Sequence, residues 1–184
     1  MPERSPEISP NFTDQKAKFA EEQLGVLAEL GKPLGVEILS LEQGEDEITE
    51  AVKTGLPERY DLVTKKLSEE GLDLSNLPKD VLVDRLLGVD SLFRFNGKIY
   101  AIDVASGKHS TIINKERKMQ AMEDIYKQLG IDRALILRLG EKVTEDVVLD
   151  LFTRLEKLGD QDQDIFTLVV KYPETNMKKR KGHL

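Results

Sequence analysis

Residues 88–118 read GVDSLFRFNGKIYAIDVASGKHSTIINKERK, and the fold is decided inside this stretch. From Val89 to Phe95 apolar and polar residues alternate, Asn96-Gly97 is the strongest short turn signal, and Lys98 to Val104 resumes as a second run. That pattern predicts a β-hairpin. A two-residue loop pairs Phe95 with Lys98, so that outward along the ladder Asp90 falls opposite Asp103. Side chains two apart share a face, which puts Tyr100, Ile102 and Val104 on one side and Ile99, Ala101, Asp103 and Ala105 on the other. Asp103 is therefore an acid among small and apolar neighbours, where a carboxylate is costly unless paired, hydrogen-bonded or bound to a cation. Two carboxylates opposed on neighbouring strands repel unless something positive lies between them, which points to a divalent-metal site. The plainer alternative makes Asp90 a turn residue after Gly88 and gives Asp103 backbone donors at a helix end.

The order of acid, hairpin, apolar strand with an acid near its end, and helix opening on cationic residues resembles the PD-(D/E)XK nuclease-like superfamily. The resemblance covers residues 13–171 in element order, with Asp90 matching the first acid of the motif and Asp103 the second. It implies an α/β, restriction-endonuclease-like fold with a mixed central sheet flanked by helices. It also implies Mg or Mn held by Asp90, Asp103 and the Val104 carbonyl, and phosphodiester hydrolysis on nucleic acid, DNA by preference. A homodimer is compatible with it. The motif lysine two positions after the second acid is absent, because that position is Ala105. The catalytic set read this way is Asp90, Asp103 and Lys108, the last lying just beyond the strand; Lys115 and Lys118 on the next helix are alternatives. A second reading is an inactive nuclease-like module that binds nucleic acid or a protein partner without cutting. A third is a structural subunit.

With 184 residues the chain is long enough for one well-cored domain, and no break in composition divides it. No run approaches the apolar length of a membrane span and no signal peptide opens the sequence, so a cytoplasmic protein is expected. Cysteine is absent and the histidines are His109 and His183 alone. That leaves oxygen ligands and a hard divalent cation as the metal chemistry available. A net charge of -7 argues against nonspecific coating of nucleic acid. Between Arg94 and Lys118, however, six cations face two anions, a local charge of +4. Lys115, Arg117 and Lys118 are the candidate phosphate contacts, with a solvated helix face as the plainer account. No phosphate-binding lysine loop or dinucleotide glycine fingerprint occurs.

Around the hairpin, residues 1–12 carry three prolines and read as an extended lead-in. Residues 13–172 read as a single domain and 173–184 as a basic tail. Thr13 to Leu30 has helical spacing, and Glu21 or Glu22 is a candidate third carboxylate, more simply part of a solvated face. Leu34 to Leu39 is either a strand or a connection. A helical insertion is expected at about 45–87, and its last helix carries Asp84, which either points to the site or pairs with a nearby cation. After the hairpin one helix of about five turns is expected, ending at Leu129-Gly130 and carrying Gln120 and Tyr126. A buried strand at Ala134 to Leu139 should lie parallel to the strand of Asp103. A helix from Thr144 to Leu158 and a strand from Ile165 to Val170 close the domain.

Overall fold

Asn96 and Gly97 both have positive φ, 48° and 73°, the pair of left-handed residues that a type I′ turn requires. They join β2 (Ser91–Phe95) to β3 (Lys98–Ala105). Phe95 pairs with Lys98 and the antiparallel ladder runs without a slip to Ser91 opposite Ile102. The register is therefore the one that the turn dictates. The computed structural model describes residues 12–39, 45–105, 109–138, 142–158 and 167–171. The expected lead-in beyond Phe12 and the expected basic tail lie outside them.

Three more strands complete a five-stranded mixed sheet: β1 (Glu37–Ile38), β4 (Arg133–Arg138) and β5 (Thr167–Lys171), in the order β1-β2-β3-β4-β5. β2 runs antiparallel to both of its neighbours, β1 and β3, whereas β4 lies parallel to β3 and β5 parallel to β4. The ambiguous run at Leu34 to Leu39 resolves into a 3-10 turn at Lys32–Leu34 followed by the two residues of β1.

The two faces of the sheet are built differently. One presents the large residues Phe93, Phe95, Tyr100, Ile102, Leu135 and Leu137 to α1 (Phe12–Gly31) and α7 (Glu145–Lys157). Here Leu24 and Leu27 of α1 and Leu151, Phe152 and Leu155 of α7 fill the layer, with the rings of Phe95 and Phe152 tilted at 4.7 Å. Thr144 caps α7 by accepting the Val147 N–H, and the leucines behind it recur at the spacing of one helical face. Each such leucine contributes about 1.5–3 kcal/mol on burial.

The opposite face presents Leu92, Ala101, Ala105, Ala134 and Ile136. It is covered by α2 (Glu45–Gly55), α4 (Lys79–Leu87), α5 (His109–Ala121) and α6 (Glu123–Gln128). Three alanines on this face leave room for helices to lie close to the strands. Helices α2, α3 (Pro57–Glu69) and α4 form the expected insertion between β1 and β2. Among the described residues no helix is long and apolar enough to cross a membrane.

The helix expected to run unbroken after the hairpin is two helices, α5 and α6, separated at Met122 (φ -93°, ψ 0°). The cause lies in the apolar stripe. Met119, Met122 and Ile125 follow one another three apart and are all buried. In a straight α-helix each three-residue step falls about 60° short of a full turn, so such a stripe drifts off the core. The tighter turn in which the Met122 N–H donates to the Met119 carbonyl at 3.0 Å brings the stripe back.

Candidate functional site

Asp103 sits near the end of β3 on the alanine-rich face, 6% exposed, with Ala101 and Ala105 buried on either side of it. Helix α5 crosses above and supplies the partner: Lys115 Nζ donates to Asp103 Oδ1 at 2.6 Å. Asp90 arrives from the other direction. It follows the turn that ends α4 and is fastened to β3 twice, its N–H donating to the Ile102 carbonyl at 2.9 Å and its Oδ2 accepting the Val104 N–H at 2.7 Å. The two aspartates expected opposite each other are thus brought together at one end of the central strand.

The electrostatics of the pair follow from this crowding. Burial is the largest influence on Asp103 and raises its pKa to about 7, against the opposing pull of Lys115; the Asp90 carboxylate beside it adds to the rise. Asp84, on α4, is also raised, first by partial burial and then by the charge of Asp90, with Arg85, Lys115 and Arg59 opposing. Asp103 and Asp84 therefore both feel the Lys115 ammonium, and both feel the charge of Asp90. The three acids do not converge as ligands: among the described residues no group of three His, Cys, Asp or Glu side chains is placed to hold a metal ion. Asp90, Asp103 and the Val104 carbonyl are the oxygen donors available. In a ladder a residue's N–H and C=O point to the same side, so the Val104 carbonyl shares the side on which Asp90 takes its N–H.

The other expected positions divide. Lys108 lies outside the described residues. Ala105, where the motif lysine would stand, is 1% exposed and belongs to the apolar layer. Lys115 is the described cation that meets the acids, while Arg117 and Lys118 of the same helix are exposed. Arg94 does not join them. It lies near the turn end of the hairpin, opposite Ile99, and pairs with Glu37 on β1 at 3.6 Å. That places it four residues, about 13 Å of extended strand, from Asp103. The described cations between Arg94 and Lys118 are thus not gathered on one patch.

Glu22 is exposed on α1, which covers the far face of the sheet, and so is no third carboxylate; the side chain of Glu21 lies outside the described residues. Gln120 is exposed, and Tyr126 is a buried structural residue whose hydroxyl donates to the Leu87 carbonyl at 3.1 Å. One residue with no local signal in the sequence also belongs to the surroundings of the site. Arg59 of α3 donates from Nε to the Leu86 carbonyl at 2.8 Å and from Nη2 to the Arg85 carbonyl at 3.3 Å, at the end of the helix that leads to Asp90.

Comparison with family models, with curated proteins and with solved structures finds no match.

Proposed function

We propose that the protein is a metal-dependent phosphodiester hydrolase of the restriction-endonuclease-like kind acting on nucleic acid, with DNA as the preferred substrate. The observation that carries this reading is the meeting of Asp90 and Asp103 at the end of β3 under the ammonium of Lys115. The donor set fits Mg or Mn: such ions are usually bound by one or two carboxylates and complete their shell with water and substrate phosphate. A carboxylate has about four acceptor positions, so the Asp90 bond to Val104 leaves capacity for a cation. Asp90 and Asp103, with the Val104 carbonyl, would hold the ion. When bound, it would lower the pKa of a water and neutralise charge on the phosphate.

The chain's own groups supply the rest. Burial of Asp103 between two alanines fixes its carboxylate, and the bond from Val104 fixes that of Asp90, so both oxygens are set before substrate arrives. Lys115 Nζ, anchored on Asp103 Oδ1, would place a positive charge beside the phosphate and orient the attacking water, the task of the absent motif lysine. It replaces Lys108 as the first choice because α5 brings it to the acid. Arg117 and Lys118, exposed on the same helix, would contact neighbouring phosphates.

One observation favours the second reading, an inactive module that binds nucleic acid or a protein partner: Lys115 already neutralises Asp103 at 2.6 Å and Ala105 is sealed in the core. Calorimetric titration with Mn2+ separates the outcomes. The wild type should bind and the D90A/D103A double variant should not. Equal heats from both proteins, or no heat from the wild type, reject the metal site. Binding without metal-dependent cleavage of plasmid, single-stranded or branched DNA selects the inactive module.

A further inference from the structure

We propose that Arg59, in the helical insertion, is a positioning residue for Asp90: by gripping the end of α4 it sets where the Asp90 carboxylate stands against β3. The proposal deepens the reading of Asp90 and Asp103 as a metal-holding pair and rests on it for its consequence, although its geometry is independent of any metal. The last carbonyls of a helix have no partner within the helix. Those of Arg85, Leu86 and Leu87 are each taken by a side chain from elsewhere, the first two by Arg59 and the third by Tyr126. The helix then stops at Gly88, whose φ of 70° is left-handed and whose N–H donates to the Asp84 carbonyl at 2.9 Å. A Cβ added to Gly88 would stand 2.9 Å from Arg59 Nη2, so the guanidinium lies flush against the glycine.

Only Gly88 and Val89 separate the last clamped carbonyl, that of Leu87, from Asp90, and Val89 is fully buried. There is little slack in which a rotation of the turn can be absorbed before it reaches the carboxylate. Asp90 is meanwhile tied on its far side to Ile102 and Val104. The turn is thus held at both ends, by α3 at one and by β3 at the other. A planar guanidinium can serve two successive carbonyls at once, whereas an ammonium on a flexible stem carries the same charge without that fork. The insertion accordingly contributes a fixed part to the site, at a distance of 27 residues in sequence from the carbonyl it binds.

The test is amide hydrogen exchange of the full chain, read by NMR at Val104, whose N–H reports whether the Asp90 carboxylate is in place. In R59K the Val104 amide should exchange about tenfold faster, the size of effect that loss of one charge-assisted hydrogen bond produces, while the amides of Leu135 and Leu151 keep their protection. Mn2+ affinity, measured by calorimetry, should fall by about the same factor. In R59A, added ethylguanidinium should restore Val104 protection and ethylammonium should not. Unchanged exchange at Val104 in R59K overturns the proposal, and so does an equal acceleration at Leu135 and Leu151, which would make Arg59 a general stabiliser. If R59A does not fold, R59K decides. If the wild type binds no Mn2+, the metal reading fails and the exchange pattern alone judges Arg59.

Discussion

The carboxylate of Asp90 accepts the amide proton of Val104 at 2.7 Å, in the place where the register of the hairpin would put the carbonyl of Val89. A side chain thereby extends the ladder beyond the end of β2. The same contact that braces the strand also presses a second carboxylate against buried Asp103, so structure and candidate chemistry share one bond.

Removing that side chain should expose the structural half of the role. D90A leaves the part-buried Val104 N–H without its acceptor and should lower stability by about 1–3 kcal/mol in urea unfolding. D90N keeps an oxygen acceptor and should lower it less. Equal stability of D90A and the wild type would show that water replaces the carboxylate at no cost.

The raised pKa of Asp103 makes the stability of the fold depend on pH. Between its usual 3.8 and about 7 the native protein holds a proton on this group that the unfolded chain has released. The group's contribution is therefore most favourable below about pH 3.8 and is lost as pH rises through about 7. Urea midpoints of D103N across pH 4–8 should show a smaller fall than those of the wild type. Parallel profiles would mean that Asp103 stays ionised throughout beside Lys115. Mn2+ affinity of the wild type should rise over the same window, because the ion competes with the proton.

If Lys115 does the work of the motif lysine, K115M should reduce metal-dependent cleavage by about 10²–10³ while the protein remains folded. Full activity in K115M together with its loss in K108A would return the role to Lys108.

Phosphate contact by the exposed face of α5 predicts a salt effect. R117A/K118A should weaken binding to duplex DNA and reduce the slope of log K against log salt by about 2, since each lost phosphate contact removes about 0.9. A slope unchanged from that of the wild type would place the nucleic-acid surface elsewhere.

The hairpin was legible because its determinants are local. Asn96-Gly97 fixes a turn type, the turn type fixes the register, and the two-residue period carries Asp90 and Asp103 to the same end of the sheet. The parallel strand at Arg133–Arg138 was legible for a similar reason, as a short aliphatic run after a helical crossover. The break at Met122 was not, because it answers to the packing of a stripe against a surface that the sequence does not display. Nor was the choice of Lys115 over its neighbours, which depends on how α5 folds back over β3. Arg59 was wholly hidden: its partners are backbone carbonyls, which every residue has, and nothing in their side chains announces them.

The two-residue strand β1 has a further consequence, for self-association. Glu37 pairs with Arg94, Ile38 with Phe93, and the Leu39 N–H donates to the Leu92 carbonyl, so the outer backbone of β2 is covered. Because the backbone groups of successive residues point to opposite sides, Ile38 alone turns its N–H and C=O outward between Glu37 and Leu39. One residue is too short a template for another chain to add a strand. The side chain of Ile38, 56% exposed, is thus left on an edge that offers no continuation, which blunts strand addition along this side of the sheet.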